Sequence, residues 1–199
     1  MKKPIEHEQE QKRAFFRRLN WLRAGVLGAN DGIVSTAGIV MGVAGATVES
    51  GPILIAGVAA LIAGSISMAG GEYASVSAQR DSEIAAAEKE RSERRNDKAA
   101  SGDEHDEEYV SPMAAATASF FAFALGSILP IVAIAGPWVD YREVATVSSV
   151  VIALALTGFL GAKIGGAKPM RAVVRNVVVS LLAMGIAYAI GTALGVAVG

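Results

Sequence analysis

Cysteine is absent from this chain, and histidine occurs only twice in 199 residues. Without a thiol there is neither a disulfide scaffold nor a thiolate metal site. His7 and His105 both lie in charged segments, which excludes a histidine-based hydrolytic site inside the apolar parts of the chain. Charge is also missing over long stretches. The charged residues crowd into 2–23 and 80–108, with small clusters around 140–143 and 163–175. A hydrophobic share of 52% decides little by itself, since a soluble domain can be about half apolar. The distribution decides more. Between the charged clusters lie runs of Ala, Val, Ile, Leu, Gly, Ser and Met, and runs of about 20 such residues match the hydrocarbon thickness of a bilayer. Residues 1–23 carry seven basic side chains but no apolar core or cleavage site of their own, so a signal peptide is not expected there.

The pattern predicts an all-α integral membrane protein with five spans, about Leu22–Val48, Pro52–Ala78, Met113–Ala135, Val144–Ile164 and Ala172–Val198. The breaks carry turn chemistry. "ESGP" (49–52) reads as a tight turn with Pro52 in the first turn of the next helix, and "SP" (111–112) opens the third in the same way. "GPW" (136–138) ends the third beside "DYRE" (140–143), and "GGAKP" (165–169) closes the fourth. Trp21 and Trp138 suit headgroup-level anchors.

Lysine and arginine orient the spans. Residues 1–23 hold seven, 80–111 six and 163–175 four; the 49–52 turn and the C-terminus hold none, and 139–143 only Arg142. The alternation predicts a cytosolic N-terminus and an outside or lumenal C-terminus. The chain then divides into an N-terminal cytosolic segment (1–20), amphipathic through Phe15, Phe16 and Leu19 or simply a basic flank, the first two spans (21–78), a short charged cytosolic connection that extends the second helix on propensity (79–111) and the last three spans (112–199). Repeated glycines such as Gly38, Gly42 and Gly45, or Gly158, Gly161 and Gly165, permit close helix approach. Five spans without an internal repeat do not form a pseudo-symmetric transporter alone, and a homodimer is the economical expectation.

Of the 19 acidic residues, only Asp31 and Glu72 fall deep within a span. An ionisable group there costs at least about 2.5–3.5 kcal/mol on insertion scales and normally faces a partner or a wet pathway. Asp31 sits roughly 13 Å from the cytosolic end of the first span, Glu72 near the cytosolic end of the second, and Met68 about 6 Å deeper on the face of Glu72. The three make a ladder of carboxylate, thioether and carboxylate. Carboxylates suit divalent cations, and a thioether adds preference for softer first-row metals. Without thiolate or imidazole the site releases what it binds, as conduction requires. Plainer readings stand beside this one: Asp31 as a turn residue in "ANDG", Met68 as packing, Glu72 snorkelling or paired with Arg80. In the 80–111 connection, Glu90 and Glu93 and the "DEHDEE" cluster (103–108) read either as metal-gathering groups or as a solvated linker with pairs such as Glu90–Arg94.

Four segments, "WLRAGVLGANDGIVSTAGIVMGVAGA" (21–46), "AGSISMAGGEYASVSAQRD" (63–81), "FAFALGSILPI" (121–131) and "GFLGAKIGGAKPMRAVVRNVVVSLLAMGIAYAIG" (158–191), resemble the vacuolar iron transporter family, which includes the yeast calcium cross-complementer and the plant nodulin-like members. The resemblance implies a five-helix homodimer that moves Fe²⁺ or Mn²⁺ out of the cytosol in exchange for protons. It puts the family's pore carboxylate and methionine on Asp31 and Met68, and its second-helix glutamate on Glu72. Full-length members insert a helical metal-binding domain rich in Glu and Met after the second span. Here the connection is short and contains no methionine; Glu90 and Glu93 correspond at most to glutamates of that domain's first helix.

The sequence therefore predicts a divalent-metal exporter or sequesterer coupled to protons, with the metal as substrate and no resident cofactor. A non-transporting membrane metal sensor or scaffold is the alternative. An enzyme is not expected, for want of a nucleophile, base or phosphate-binding loop. Nor is nucleic-acid binding expected, because the basic residues track topology and are balanced by acids. The absence of a targeting peptide and the compact loops lean toward a bacterial cytoplasmic membrane rather than a vacuolar one.

Overall fold

A computed structural model describes residues 4–96 and 111–198, with side chains described for 24–89, 92 and 111–197. The side chains of Phe15, Phe16, Leu19, Trp21, Glu90 and Glu93, and the whole of 103–108, lie outside the described residues. The chain forms helices α1 (Pro4–Ala46), α2 (Ser50–Asn96), α3 (Pro112–Ala135), α4 (Arg142–Ile164) and α5 (Pro169–Val198), with a short 3-10 turn at Val139–Tyr141. Five of their segments are long and apolar enough to cross a membrane: Ala24–Ala46, Ser50–Lys89, Pro112–Ala135, Val139–Ile164 and Pro169–Ala197. Ile55, Ile62, Leu125, Val132, Leu156 and Leu182 stand exposed on their outer faces, as a bilayer-facing surface requires and a water-facing one avoids.

The helix ends follow local chemistry. Ser111 caps α3 by accepting from the Ala114 N–H, with Pro112 at the first helical position. At the other end of α3 the Trp138 indole N–H donates to the Ala133 carbonyl at 2.8 Å. The indole lies where any side chain at Gly136 would stand. Between α4 and α5, Gly166 takes a left-handed φ of 70°. The Ala167 N–H then returns to the Ala162 carbonyl at 2.8 Å, the six-to-one bond of a Schellman close.

Several boundaries differ from the sequence reading, two of them for a local chemical reason. The α1–α2 turn occupies only Thr47–Glu49, because Ser50, Gly51 and Pro52 already belong to the first turn of α2. The fifth helix begins at Pro169 rather than Ala172: proline is pre-set for a helix start, so the basic first turn joins the helix.

Helix α1 is central and packs chiefly against α3 and α5, with smaller contacts to α2 and α4. Ile33, Ala37, Val40, Met41 and Ala44 of α1 form the core with residues of every other helix, among them Ile53, Ile134, Leu154 and Met184. A buried hydroxyl pair ties α1 to α3: Thr36 Oγ1 donates to Ser127 Oγ at 2.9 Å, and Ser127 Oγ donates to the Phe123 carbonyl at 2.9 Å.

Arg142 opens α4 and is only 4% exposed. Its Nη1 donates to the Val48 carbonyl at 3.1 Å and its Nε to Glu143 at 3.2 Å. It thus holds the α1–α2 turn, just beyond the C-terminus of α1, where a cation is favoured. Arg142→Ala leaves that carbonyl unpaired and should lower stability by about 1.5–3 kcal/mol, the range for a hydrogen bond to a charged group. Thermal unfolding of the purified protein in detergent measures it, and an unchanged midpoint would show that the clasp is idle.

Candidate metal pathway

The "ANDG" stretch does not break α1. Residues 4–46 are helical throughout, and no described non-glycine residue has a positive φ. The triplet serves side-chain direction instead. Successive helical residues point about 100° apart, and here each meets a different environment. The Asn30 side-chain carbonyl accepts from Thr157 Oγ1 of α4 at 2.5 Å. A side chain at Gly32 would collide with the Phe123 backbone of α3, so glycine is required there for close approach and not for a turn. Asp31, between them, is exposed. Its Oδ1 accepts from Ser35 Oγ, one turn on, at 2.6 Å.

Asp31 shares its open stripe with Leu27 and Ile39, which are 49% and 44% exposed. A carboxylate thus stands within the membrane-crossing part of α1, on a face that the other helices of its own protomer leave uncovered. Its second oxygen has no bond among the described residues. An ionised carboxylate in hydrocarbon is costly; a partner surface or a wet path has to cover this stripe.

On α2, Met68 and Glu72 are half-buried, in line with buried Ser65 and Val76, so this face turns toward the bundle. Neither Glu72 nor Arg80 is without an interaction partner. Heights follow from the contacts of Phe123. A side chain at Gly64 would strike its ring, and one at Gly32 its backbone, so Gly64 and Gly32 lie level on either side of α3. Met68 then stands about 6 Å, and Glu72 about 12 Å, from that level toward the basic end of the bundle. Asp31 is one residue from it.

By that count glutamate is outermost, then methionine, then aspartate. Phe123 of α3 touches both α1 and α2 at this level, with its backbone beside Gly32 and its ring beside Gly64. Among the described residues no group of three His, Cys, Asp or Glu side chains converges; the ladder itself holds two carboxylates and a thioether. Beyond Glu72, α2 continues as a helix to Asn96, with Asp81, Glu83, Glu88 and Lys89 exposed and Gln79 donating to Glu83 at 2.9 Å. Over these residues it is an exposed helix of mixed charge. Three features of the site were not read from sequence: the Asn30–Thr157 bond, the Phe123 wedge and the Ser35 partner of Asp31. Only the last had a local signal, its four-residue spacing.

Comparison with known proteins gives a consistent picture. The chain matches the model of the VIT family over residues 22–107 and 98–192. It is 39% identical to vacuolar iron transporter homolog 1 of Arabidopsis thaliana over 195 residues, 96% of this chain and 92% of that protein. It is 43% identical to vacuolar iron transporter homolog 5 of Oryza sativa subsp. japonica over 173 residues, 86% of this chain and 79% of that protein. Vacuolar iron transporter homolog 3 of the same rice is 45% identical over 177 residues, 87% of this chain and 70% of that protein.

Proposed function

The chain belongs to the VIT family, and from that premise we propose that it moves Fe²⁺ or Mn²⁺ out of the cytosol in exchange for protons. The observation that carries the reading is Asp31, a carboxylate within a membrane-crossing helix and exposed on it. One oxygen is held by Ser35; the other is free to take a metal ion or a proton. Two copies of the chain meeting along the Leu27–Asp31–Ile39 stripe bring two such carboxylates together, matching the charge of one divalent ion. When the ion leaves, protonation relieves the repulsion between them, and that exchange is the coupling step. The homodimer is therefore part of the proposal, because a single protomer leaves the carboxylate uncovered.

Met68 supplies the thioether preference for first-row metals, and Glu72 gathers ions at the mouth. Glu90 and Glu93 extend that acidic approach on the last turns of α2. The basic residues favour a cytosolic N-terminus and a lumenal or external C-terminus, which makes Glu72 the cytosolic entrance. The four-part division at residues 20, 78 and 111 is retained on this reading. The metal is substrate, and neither catalysis nor a resident cofactor is assigned. A bacterial cytoplasmic membrane gains no support from the relatives, which are plant proteins named for the vacuole.

The test is flux. Purified protein in liposomes, with Fe²⁺ or Mn²⁺ outside and an imposed pH gradient, should accumulate metal faster as the gradient steepens and should move protons the other way. Metal binding without vectorial flux would instead make the chain a membrane sensor or scaffold. Met68→Leu keeps volume and removes the sulfur. It should narrow discrimination against Mg²⁺ while leaving the fold intact, read as flux ratios in the same vesicles.

A further inference from the structure

Helix α5 carries charge that the described bundle does not neutralise. Arg171 and Arg175 stand one turn apart on its exposed side, and Lys163, in the last turn of α4, and Lys168, just before α5, are exposed as well. The sequence contains no aspartate or glutamate after Glu143. Among the described residues none of these four cations has a carboxylate partner. Topology asks only that basic residues lie at this end of the bundle; it makes no demand on which helix face they share. Yet like charges four apart on a helix repel. A shallow, open groove of about 460 Å³ lies along the same face, lined by Met170, Arg171, Val174, Arg175, Val178 and Val179, all of α5. Its surface is almost wholly apolar, to which the two arginines contribute chiefly their aliphatic stems, leaving the guanidiniums at its edge.

We propose that this groove binds one anionic phospholipid, with the headgroup phosphate between Arg171 and Arg175 and an acyl chain along Val174, Val178 and Val179. The helix length supports the register. The Pro169–Ala197 span has 29 residues, about 43 Å, against a hydrocarbon core of about 30 Å. The charges lie only at its N-terminal end, so the excess places its first turns at headgroup depth. The phosphate converts the repulsion of the two guanidiniums into charge-assisted hydrogen bonds, and it lies near a helix N-terminus, which adds to the attraction. A second copy of this chain related by a two-fold axis through the groove would set the guanidiniums against their own copies. The inference goes beyond metal transport and does not depend on it, since it requires only that α5 spans a membrane.

The experiment places the full chain in vesicles of equal phosphatidylglycerol and phosphatidylcholine, extracts it gently and counts retained lipids by native mass spectrometry. The wild type should retain phosphatidylglycerol preferentially. Arg171→Ala with Arg175→Ala should lower that preference on the order of tenfold. Lys163→Ala with Lys168→Ala, which removes the same charge from the end of α4 and the turn after it, should keep most of it. Val178→Trp, which fills the groove with both arginines in place, should lose it. Equal retention of the two lipids by the wild type would overturn the proposal. So would an equal loss in the two double variants, which would mark a diffuse charge effect, or undiminished preference in Val178→Trp.

Discussion

Asp31→Asn should reduce metal flux in reconstituted vesicles to the level of protein-free controls while the protein remains folded. The substitution keeps the size of the side chain and an oxygen to accept from Ser35 Oγ, a bond of 2.6 Å in the native chain. It removes only the negative charge. Losing one charged partner of a desolvated ion costs about 3–5 kcal/mol, so flux should fall by at least about a hundredfold. Stability should hold or rise, because the neutral amide no longer carries the cost of an ionised group in hydrocarbon. Asp31→Ala should be equally inactive and should also release Ser35. Asp31→Glu keeps the charge but lengthens the arm, and should retain part of the flux with altered metal preference. The measurement is initial Fe²⁺ and Mn²⁺ flux beside size-exclusion and thermal-melting profiles of the same preparations. Full flux in Asp31→Asn would remove the carboxylate from the pathway and leave Asn30, bonded to Thr157, as the functional part of the motif.

Gly32→Ala and Gly191→Ala should each be strongly destabilising, and Gly185→Ala should not. Alanine is the better helix former by about 1 kcal/mol, so on propensity all three changes are favourable. Packing reverses the sign at two of them. A methyl group at Gly32 meets the Phe123 backbone of α3, and one at Gly191 meets the Gly42 carbonyl of α1, whereas Gly185, on the exposed side of α5, has nothing within 4 Å. Backbone atoms of a packed helix do not swing aside as the end of a flexible side chain does. The helices must separate, losing contacts along their length, at a cost of about 1–3 kcal/mol or more. Melting of detergent-purified variants should show both drops against an unchanged or raised midpoint for Gly185→Ala. Gly32→Ala should lose flux as well, because moving α1 off α3 re-aims Asp31. Equal midpoints for all three would mean that α1 is not held at these contacts.

Much of this was open to a reading of residues alone, for a definite reason. A bilayer imposes a constraint along one dimension, its thickness, and hydropathy along the chain answers it directly. The continuation of α2 past the second apolar segment follows from the helix propensity of its charged residues; the five segments and their turn signals follow from the bilayer constraint. So does the oddity of Asp31 and Glu72, since a charge in such a run has no bland local explanation.

What lay around each helix was not written in the same way. Lipid is as apolar as the bundle interior, so a membrane helix shows little periodic contrast between its packed and outward faces. Asn-Asp-Gly therefore read as a possible turn, when its residues in fact point to α4, to an open stripe and to α3. The same lack of contrast hid Phe123 between the first two helices and the burial of Arg142, whose charge counts toward topology wherever it points. The amino-acid sequence by itself determined how many helices are long and apolar enough to cross a membrane and where along them the carboxylates sit, because position along a helix is a property of that helix alone. Only the tertiary structure decided which way they face, because facing is a property of the neighbours that close around them.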